Sequence, residues 1–288
     1  MRTIAERAQA ELGTAVVATT PVAGGDVSTA TRLRLSDGRN ALIKTRPHAP
    51  PNFFETEARG LQWLAVGDGV AVPEVLGVTS DCIIIAWVEP GKPSADGVEA
   101  FAAALALTHA TAPAGFGADA DGYIATLPLP NSPCAGWPEF YTTRRVLPYL
   151  KLARDKHVVS DAATRDIEQV LRRIDEFCDP ATPPARIHGD LWSGNVVWGT
   201  GGIGHLVDPA AHGGHPHTDL AMLSLFGAPH LGRLLDVYEE AAALSAGWRD
   251  RLPLHQLHPL LVHAVIFGGS YGERAGAAAR VLLSPSTA

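Results

Sequence analysis

The N-terminal third of the chain alternates between apolar and polar positions in short runs that predict a small sheet. Residues 2–12 place apolar positions at helical spacing, and runs with a period of two follow them. Strands are predicted over residues 14–20, 27–35, 41–45, 73–78 and 82–88, with a helix over residues 52–66 that Asn52 would cap. The pattern indicates three antiparallel strands joined by a glycine turn and a hairpin, then a helix and two more strands.

The remainder of the chain has mainly helical periodicity. Residues 89–94 contain proline and glycine and predict a linker, and helices are predicted over residues 98–110, 137–155, 160–178, 217–227, 230–245 and 251–273. Residues 186–209 are the exception, because a short strand, a polar loop and a hairpin are predicted there. We therefore predict an α+β fold of two lobes with a cleft between them. The N-lobe, a small antiparallel sheet, would span residues 1–89 and the larger helical C-lobe residues 90–288.

The composition is typical of a soluble globular enzyme. The chain has 288 residues, of which 46% are hydrophobic and 18% charged, and this excludes a disordered protein. The formal net charge of -7 and the lack of a Lys/Arg cluster argue against nucleic acid as a partner. No apolar run approaches the roughly 20 residues of a membrane helix, and the N-terminus lacks an apolar signal-peptide core. The three cysteines are widely spaced without a CxxC pair, which argues against disulfides. Together these features predict a cytoplasmic protein with no membrane partner.

The polar loop at residues 188–195, with the sequence HGDLWSGN, carries the strongest chemical signal. Asp190 is followed five residues later by Asn195, and Asp208 comes after the predicted hairpin. In phosphoryl transfer, one carboxylate orients a substrate hydroxyl and takes its proton, while an amide oxygen and a second carboxylate hold Mg²⁺ on ATP. The spacing therefore predicts Asp190 as the catalytic base and Asn195 and Asp208 as metal ligands. The alternative is a capped β-turn followed by an unrelated Asp-Pro turn.

Two further residues would support this loop. His188 is expected to brace it by hydrogen bonding, because as the proton acceptor it would leave Asp190 without a role. Asp219 begins the apolar sequence LAML and is a candidate N-cap, a candidate hydrogen-bond partner of the catalytic loop, or both. Gly189 and Gly194 would provide backbone angles that other residues resist.

Lys44 is the candidate phosphate-binding lysine. It lies at the end of an apolar strand, on the same face as Leu42, where an ammonium group needs a partner to offset its desolvation. Glu57, on the helix that follows, can supply that partner. The alternative is a lysine at a strand edge that pairs with nothing. Gly24 and Gly25 could let the backbone approach phosphates closely, although glycine pairs are also common in ordinary hairpins.

With these residues in place, the chain resembles the fructosamine kinase (ketosamine-3-kinase) family, within the aminoglycoside phosphotransferase and choline kinase-like group. The resemblance is carried by HGDLWSGN (188–195), DPA (208–210) and DLAM (219–222). Supporting sequences are GGDVS (24–28), FETEA (54–58), WVEPG (87–91), YIATLPLPN (123–131) and FGGSY (267–271), so the likeness covers nearly the whole chain. It implies a protein-kinase-like fold that uses ATP and Mg²⁺ to phosphorylate the O3 hydroxyl of ketosamines. The 3-phosphate decomposes and frees the amine, so the implied role is deglycation of small-molecule or protein-bound adducts.

The resemblance also implies roles for individual residues. The pair Lys44 and Glu57 would bind phosphate, and the backbone of Ala86 and Val88 would meet adenine at the hinge. Within the glycine turn, Gly24, Gly25 and Ser28 are the ATP-binding positions that the likeness implies. Trp192 would provide a flat apolar surface beside the sugar, unless it is a core residue that braces the loop.

The segment after Asp208 departs from the family pattern. Where the family has aromatic residues and then an acidic one, this chain has the sequence AHGGHPH at residues 211–217. The segment borders the expected substrate end of the cleft, so His212 and His217 are candidate substrate contacts and the ketosamine is left open. His212, His215 and His217 could alternatively bind a transition metal, although short histidine-rich loops are more often solvated or hydrogen bonded.

Two other functions stay open from the sequence. The first is phosphorylation of another hydroxylated acceptor, such as an aminoglycoside, choline or a sugar. The second is a catalytically silent binding protein of kinase fold, against which the joint presence of Lys44, Asp190, Asn195 and Asp208 argues. The oligomeric state is open too, with a monomer compatible with everything in the sequence.

Overall fold

The computed structural model describes residues 3–23, 27–178 and 181–284. Its N-terminal part is a five-stranded antiparallel sheet with strand order β1-β2-β3-β5-β4. The elements are α1 (Ile4–Leu12), β1 (Val16–Val22), β2 (Thr29–Leu35), β3 (Asn40–Thr45), α2 (Phe53–Leu64), β4 (Val75–Thr79) and β5 (Cys82–Ala86). Each of these elements was predicted from the periodicity of the sequence, and the bounds differ by a few residues.

The alternation along β3 decides which residues face each side of this sheet. Ala41 and Ile43 pack on the face that α1 covers, in a cluster with Ala8. Leu42 belongs to the opposite cluster, under α2, so Lys44 points the same way because successive side chains of a strand alternate. The sheet therefore directs the one buried lysine of the described residues toward α2 and the C-terminal region.

The predicted cap of α2 is wrong. Asn52 has a left-handed backbone (φ 59°) and its side chain makes no capping hydrogen bond. By contrast, α1 begins with a capping box, in which Thr3 and Glu6 each bind the other's backbone N–H.

The C-terminal region is mostly helical, with four short hairpin or bridge strands around the polar loop at residues 188–195, hereafter the catalytic loop after its predicted role. Its elements are α3 (Ala95–Ala110), β6 (Gly122–Ile124), β7 (Leu127–Leu129), α4 (Trp137–Phe140), a π-helical turn (Tyr141–Val146), α5 (Leu147–Asp155), α6 (Asp161–Arg172), β8 (Ala185–Ile187), β9 (Val196–Trp198), β10 (Gly204–Leu206), β11 (His212–Gly214), α7 (His217–Phe226), α8 (Leu231–Ala241), α9 (Leu252–Phe267) and α10 (Tyr271–Leu283). The predicted strand, polar loop and hairpin over residues 186–209 are confirmed. Of the helices that the structure describes, none is long and apolar enough to cross a membrane.

Several features of this region differ from the sequence prediction, among them the β6–β7 hairpin, which was not predicted. The helix predicted over residues 251–273 ends at Phe267, because Gly268 and Gly269 have positive φ angles of 68° and 62° that no α-helix can continue. A separate helix, α10, follows and packs on α9 and α6. Strand β11 was not predicted either, because a three-residue strand with the sequence HGG has no recognisable alternation.

The catalytic loop is attached to both the linker and the core. Gly91 N–H donates to the Trp198 carbonyl (2.7 Å) and Thr200 N–H to the Glu89 carbonyl (3.1 Å), so the β9–β10 hairpin lies against the linker. Leu191, within the loop, is fully buried in the cluster formed by α3, α7 and α8. The loop is therefore held in place by packing as well as by its own hydrogen bonds.

The C-terminal core also encloses histidines that are neutral in the folded state. Burial, followed by the charge of Arg145, lowers the pKa of His258 well below its ordinary value. Its ring packs edge-on against Tyr149 with 4.9 Å between the ring centroids, and its Nε2 has no hydrogen-bond partner. His212 shows a similar lowering of its pKa from the same two causes.

We expect the free energy of unfolding to fall as the pH drops below about 6.5, where an unfolded histidine takes up a proton. Each histidine whose folded pKa is depressed removes up to about 1.4 kcal/mol per pH unit, because the unfolded state then binds more protons than the folded one. His258→Phe keeps the ring contact and removes the titration, so urea unfolding should show a smaller loss of stability between pH 7 and pH 5. Equal pH slopes for the variant and the wild type would contradict this expectation.

Candidate active site

An ion pair beneath the sheet brings the N-terminal and C-terminal parts together. Lys44 Nζ lies 2.6 Å from Glu57 Oε1, as predicted, and the same ammonium also contacts the carboxylate of Asp208. The side chains of Lys44 and Glu57 are largely buried, whereas that of Asp208 is 47% exposed. Two carboxylates thus share one ammonium, and the more exposed of them comes from the catalytic region.

The catalytic loop is organised by His188. Its Nδ1 accepts the N–H of Asp190 at 3.2 Å, so its proton lies on Nε2, which donates to the Val207 carbonyl at 2.9 Å. Burial lowers the pKa of His188, which keeps the ring neutral. The residue therefore joins the loop to the chain just before Asp208 and takes no part as a proton acceptor.

Asp219 holds the backbone of the same loop. It is fully buried, and its two carboxylate oxygens accept the N–H groups of His188 (2.7 Å) and Gly189 (2.9 Å). His109 Nε2 donates to it as well, at 3.1 Å, and His109 Nδ1 in turn accepts the hydroxyl of Tyr238. Burial would raise the pKa of Asp219, but the hydrogen bond and charge of His109, followed by those of His188, lower it below its ordinary value.

Of the two roles predicted for Asp219, one is confirmed and the other is wrong. Its hydrogen bonds to the catalytic loop are present, whereas the N-cap expectation is wrong. Asp219 is the third residue of α7, which begins at His217 after Pro216 and has no side-chain cap.

Asp190 and Asn195 lie in direct contact. The amide nitrogen of Asn195 donates to Asp190 Oδ2 at 3.1 Å and to the Asp190 carbonyl at 2.8 Å. Burial raises the pKa of Asp190 to about 7, although the Asn195 hydrogen bond acts in the opposite direction and Asp219 adds to the rise. A carboxylate with such a pKa is suited to accept a proton near neutral pH.

Asn195 and Asp208 form a donor set that fits Mg²⁺. The carbonyl of Asn195 accepts the N–H of Val207 (3.0 Å), which brings the end of the hairpin beside the loop. Because the Asn195 amide nitrogen faces Asp190, its side-chain oxygen is directed elsewhere, and Asp208 adds a partly exposed carboxylate. Amide and carboxylate oxygens are the hard ligands that Mg²⁺ selects. Asp208 also has a left-handed backbone (φ 55°), a local strain of the kind found at functional sites.

The two loop glycines are required for different reasons. Gly189 has φ 81°, and a Cβ there would lie 2.3 Å from the Ala210 carbonyl, so both angle and space demand glycine. Gly194 lacks a positive φ, which corrects the expectation that it supplies a special angle. A Cβ at Gly194 would instead lie 2.3 Å from the ring of Trp192. The Trp192 side chain, 42% exposed, thus lies over the backbone of its own loop.

The predicted hinge and glycine-turn residues are only partly described. The N–H of Ala86 donates to the Glu74 carbonyl (2.8 Å) and is therefore part of the sheet hydrogen bonding. Val88 packs toward Gly199 of the β9–β10 hairpin. Ser28 is half-buried in a bend just before β2. The predicted phosphate-binding glycines, Gly24 and Gly25, lie outside the described residues.

The histidines after Asp208 are inside the fold, which corrects the expectation that His212 and His217 contact substrate. His212 is 3% and His217 6% exposed, and their neighbours are protein groups. His212 Nδ1–H donates to the Ala210 carbonyl at 2.7 Å, and its Nε2 accepts from Arg145 at 3.3 Å. His217, the first residue of α7, packs against Trp248.

His215 and His217 form a cluster with His255 instead of with His212. One ligand atom from each ring lies within 4.8 Å of the others, yet no carboxylate of the described residues joins them. A divalent cation there would meet the positive end of α7 and the charge of Arg251, which already helps to lower the pKa of His217 to about 4 after burial. The rings pack against one another at interplanar angles of 59° and 46°, with 4.5 Å between the centroids of His215 and each of the other two. Without a carboxylate among the described residues nearby, these positive surroundings favour neutral ring packing over a metal site.

Three buried residues near the loop escaped the sequence interpretation. His109 and Tyr238 lie more than a hundred residues apart in the chain and hydrogen bond to each other next to Asp219. Arg145 reaches His212 from the π-helical turn. Isolated polar residues within helices give no periodic or motif signal, so no local pattern could have identified them.

Comparison with known proteins identifies the group to which this chain belongs. A profile of the family described as fructosamine kinase matches residues 1–284. The chain belongs to the fructosamine kinase family. Membership identifies it as an ATP-dependent kinase and agrees with the resemblance seen in the sequence.

Individual fructosamine kinase family relatives cover nearly the whole chain. A probable ketoamine kinase of Enterococcus faecium is 35% identical over 88% of this chain and 91% of its own length. Another, from Thermus thermophilus, is 36% identical over 87% of this chain and 88% of its own. A crystal structure from Thermobifida fusca, provisionally named a fructosamine-3-kinase, is 43% identical, with a TM-score of 0.93 over 98% of both chains.

More distant structures share the fold alone. A macrolide 2'-phosphotransferase of Brachybacterium faecium superposes with a TM-score of 0.63 at 18% identity over 98% of both chains. A choline kinase of Streptococcus pneumoniae gives 0.60 at 13% identity over 97% of both. The predicted α+β, protein-kinase-like architecture is thereby confirmed.

Replacing Asp219 with asparagine should destabilise the catalytic loop. An amide has only one acceptor oxygen, so one of the buried N–H groups of His188 and Gly189 would lose its partner, at a cost of about 1–3 kcal/mol. Chemical unfolding should show this loss, and hydrogen exchange at Gly189 should become faster. Asp175→Asn, at an exposed position, should change neither quantity, and a stable, fully protected D219N protein would exclude the anchoring role.

Proposed function

We propose that this protein is an ATP- and Mg²⁺-dependent kinase that phosphorylates the O3 hydroxyl of ketosamines. The observation that carries the proposal is the contact of the Lys44–Glu57 pair with Asp208, next to a loop in which Asn195 binds Asp190. This arrangement joins a phosphate-binding cation, oxygen ligands for a divalent ion and a base. The names of the family and of its relatives supply the acceptor class.

In the proposed mechanism, Asp190 is the catalytic residue that receives the proton of the acceptor hydroxyl. Its pKa of about 7 leaves a substantial fraction ionised at neutral pH, and the Asn195 amide holds the carboxylate in one orientation. Proximity and orientation of this kind account for much of the catalysis in phosphoryl transfer, since the transition state requires little covalent help from the protein.

The charged residues around Asp190 would serve the nucleotide. Lys44, fixed by Glu57, would bind phosphate oxygens, and the side-chain oxygens of Asn195 and Asp208 would hold Mg²⁺. The bound ion supplies neutralisation of the charge that develops on the phosphates. The N-lobe over residues 1–89 and the C-lobe over residues 90–288 would enclose the nucleotide, with the backbone of Val88 beside adenine.

The acceptor would lie beside Trp192. Its exposed indole would offer a flat apolar face two residues after the proposed base in the sequence, and Gly194 leaves room for the ring. Phosphorylation at O3 makes the ketosamine unstable, so the proposed biological result is deglycation of free or protein-bound amines in the cytoplasm.

A panel of acceptors tests the substrate class. We expect Mg²⁺-dependent ATP turnover with ribuloselysine or fructoselysine, and none above background with kanamycin, choline or free sugars. Incubation with a glycated peptide should release the unmodified peptide, measured by mass spectrometry. Turnover on kanamycin or choline alone would transfer the proposal to another acceptor, and nucleotide binding without turnover on any acceptor would indicate a silent binding protein.

Two substitutions separate the base from the metal ligand. Asp190→Asn should leave Mg²⁺·ATP binding largely intact and reduce kcat by about a hundredfold or more, the scale for loss of a general base.

Asp208→Ala should instead weaken Mg²⁺·ATP binding, because a charged oxygen ligand is removed. Calorimetry and steady-state kinetics distinguish these effects. Unchanged turnover in D190N, or unchanged nucleotide affinity in D208A, would show that the respective role is wrongly assigned.

A further inference from the structure

Arg145 is a buried cation whose position the mechanism above does not use. It lies on the π-helical turn Tyr141–Val146 and is only 2% exposed. Its hydrogen bonds go to the carbonyls of Pro130 and Arg144, to Asn131 Oδ1 (2.6 Å) and to His212 Nε2 (3.3 Å), and its guanidinium lies 4.5 Å from the Phe140 ring centroid. Among the described residues it forms no salt bridge: its direct hydrogen-bond partners are all neutral groups, and the charge of Asp121 acts on it only from a distance.

The free-energy cost of burying the Arg145 guanidinium argues against a role in packing alone. Burying a charge without an opposite charge is expensive, and a buried cation paired only with dipoles gives weak evidence for stabilisation. Burial lowers the pKa of Arg145 to about 10, so the group stays protonated at neutral pH. A π-helical turn is also a rare element that is found frequently at functional sites.

His212 connects Arg145 to the segment that carries the proposed metal ligand. The two hydrogen bonds of its ring fix one tautomer, with the proton on Nδ1 toward the Ala210 carbonyl and the lone pair of Nε2 toward Arg145. Ala210 N–H donates to the His188 carbonyl at 3.0 Å. A Cβ at Gly189 would meet both the Ala210 carbonyl and the His212 ring, so the segment after Asp208 packs closely against the catalytic loop.

The other arm of Arg145 reaches the β6–β7 hairpin. Asn131 follows that hairpin, and its own backbone N–H donates to Asp121 Oδ1 at 2.7 Å. In the middle of β6, Tyr123 packs on Phe53 of α2 with 5.3 Å between the ring centroids, and its hydroxyl donates to the Pro51 carbonyl. One guanidinium therefore contacts both the hairpin that touches the N-terminal part and the segment that follows Asp208.

We propose that Arg145 is a positioning residue, which acts through His212 to fix the Asp208–Ala210 segment against the catalytic loop. It thereby sets the place of the Asp208 carboxylate, whose left-handed backbone needs support from its surroundings. The inference rests on the proposed function, since it assigns Asp208 to the metal. Partners that orient a metal ligand typically change metal affinity or activity 10–100-fold when they are lost.

Binding of ADP with and without Mg²⁺, measured by calorimetry, tests this proposal. Arg145→Lys keeps the charge but replaces the planar fork, in which Nε binds His212 and Nη2 binds Asn131, with a single nitrogen that cannot reproduce that geometry. His212→Asn places an amide donor near the Nδ1 position and removes the acceptor for Arg145. In both variants we expect Mg²⁺·ADP to bind about tenfold more weakly while metal-free ADP binds as in the wild type.

A role in folding alone would give a different result. It would lower the unfolding temperature without changing the ratio of the two ADP affinities, and an unchanged ratio in folded R145K or H212N would overturn the proposal. If R145K does not fold, the uncharged H212N carries the test. The double variant should bind no more weakly than the weaker single variant, and additive losses would show that the two residues do not act through each other.

The controls separate this inference from the proposed function. Arg165→Lys, on an exposed face of α6, should leave both affinities unchanged. If Mg²⁺ does not affect ADP binding in the wild type, the proposed function fails and the inference fails with it. If Mg²⁺ strengthens binding equally in the wild type, R145K and H212N, only the inference about Arg145 fails.

Discussion

The carboxylate of Asp219 is the buried charge on which the catalytic loop depends. Two consecutive backbone N–H groups, those of His188 and Gly189, require acceptors in a fully buried place, and one side chain supplies both. The bonds turn the loop so that Asp190 faces Asn195, and His109 Nε2 donates a third hydrogen bond to the carboxylate of Asp219. A buried anion is tolerated only because three donors surround it.

A second constraint, the Lys44 ion pair, joins this loop to the sheet. The period of two along β3 directs Lys44 away from the α1 face, and Glu57 on α2 lies within reach on the other. Because Asp208 contacts the same ammonium, the place of the proposed metal ligand depends on both parts of the chain. Site geometry and the packing of the sheet on the helical region are therefore linked.

The fold itself says little about the acceptor. Structures that act on macrolides and on choline share it at identities below 20%. The histidine-rich segment after Asp208, which looked like a specificity element, is instead buried and supports the loop from beneath. Among the described residues predicted to contact substrate, Trp192 is the one with an exposed side chain.

The sequence by itself determined most of the secondary structure and the residues of the loop. Period-two and period-3.6 patterns are local, so the strands of the sheet and most helices followed from them, and the HGDLWSGN sequence carried the resemblance to the family. Only the tertiary structure decided which distant side chains meet. His109 with Asp219, Arg145 with His212 and His255 with His215 are separated by tens to more than a hundred residues. Such contacts depend on how helices pack, and packing leaves no periodic trace in the chain.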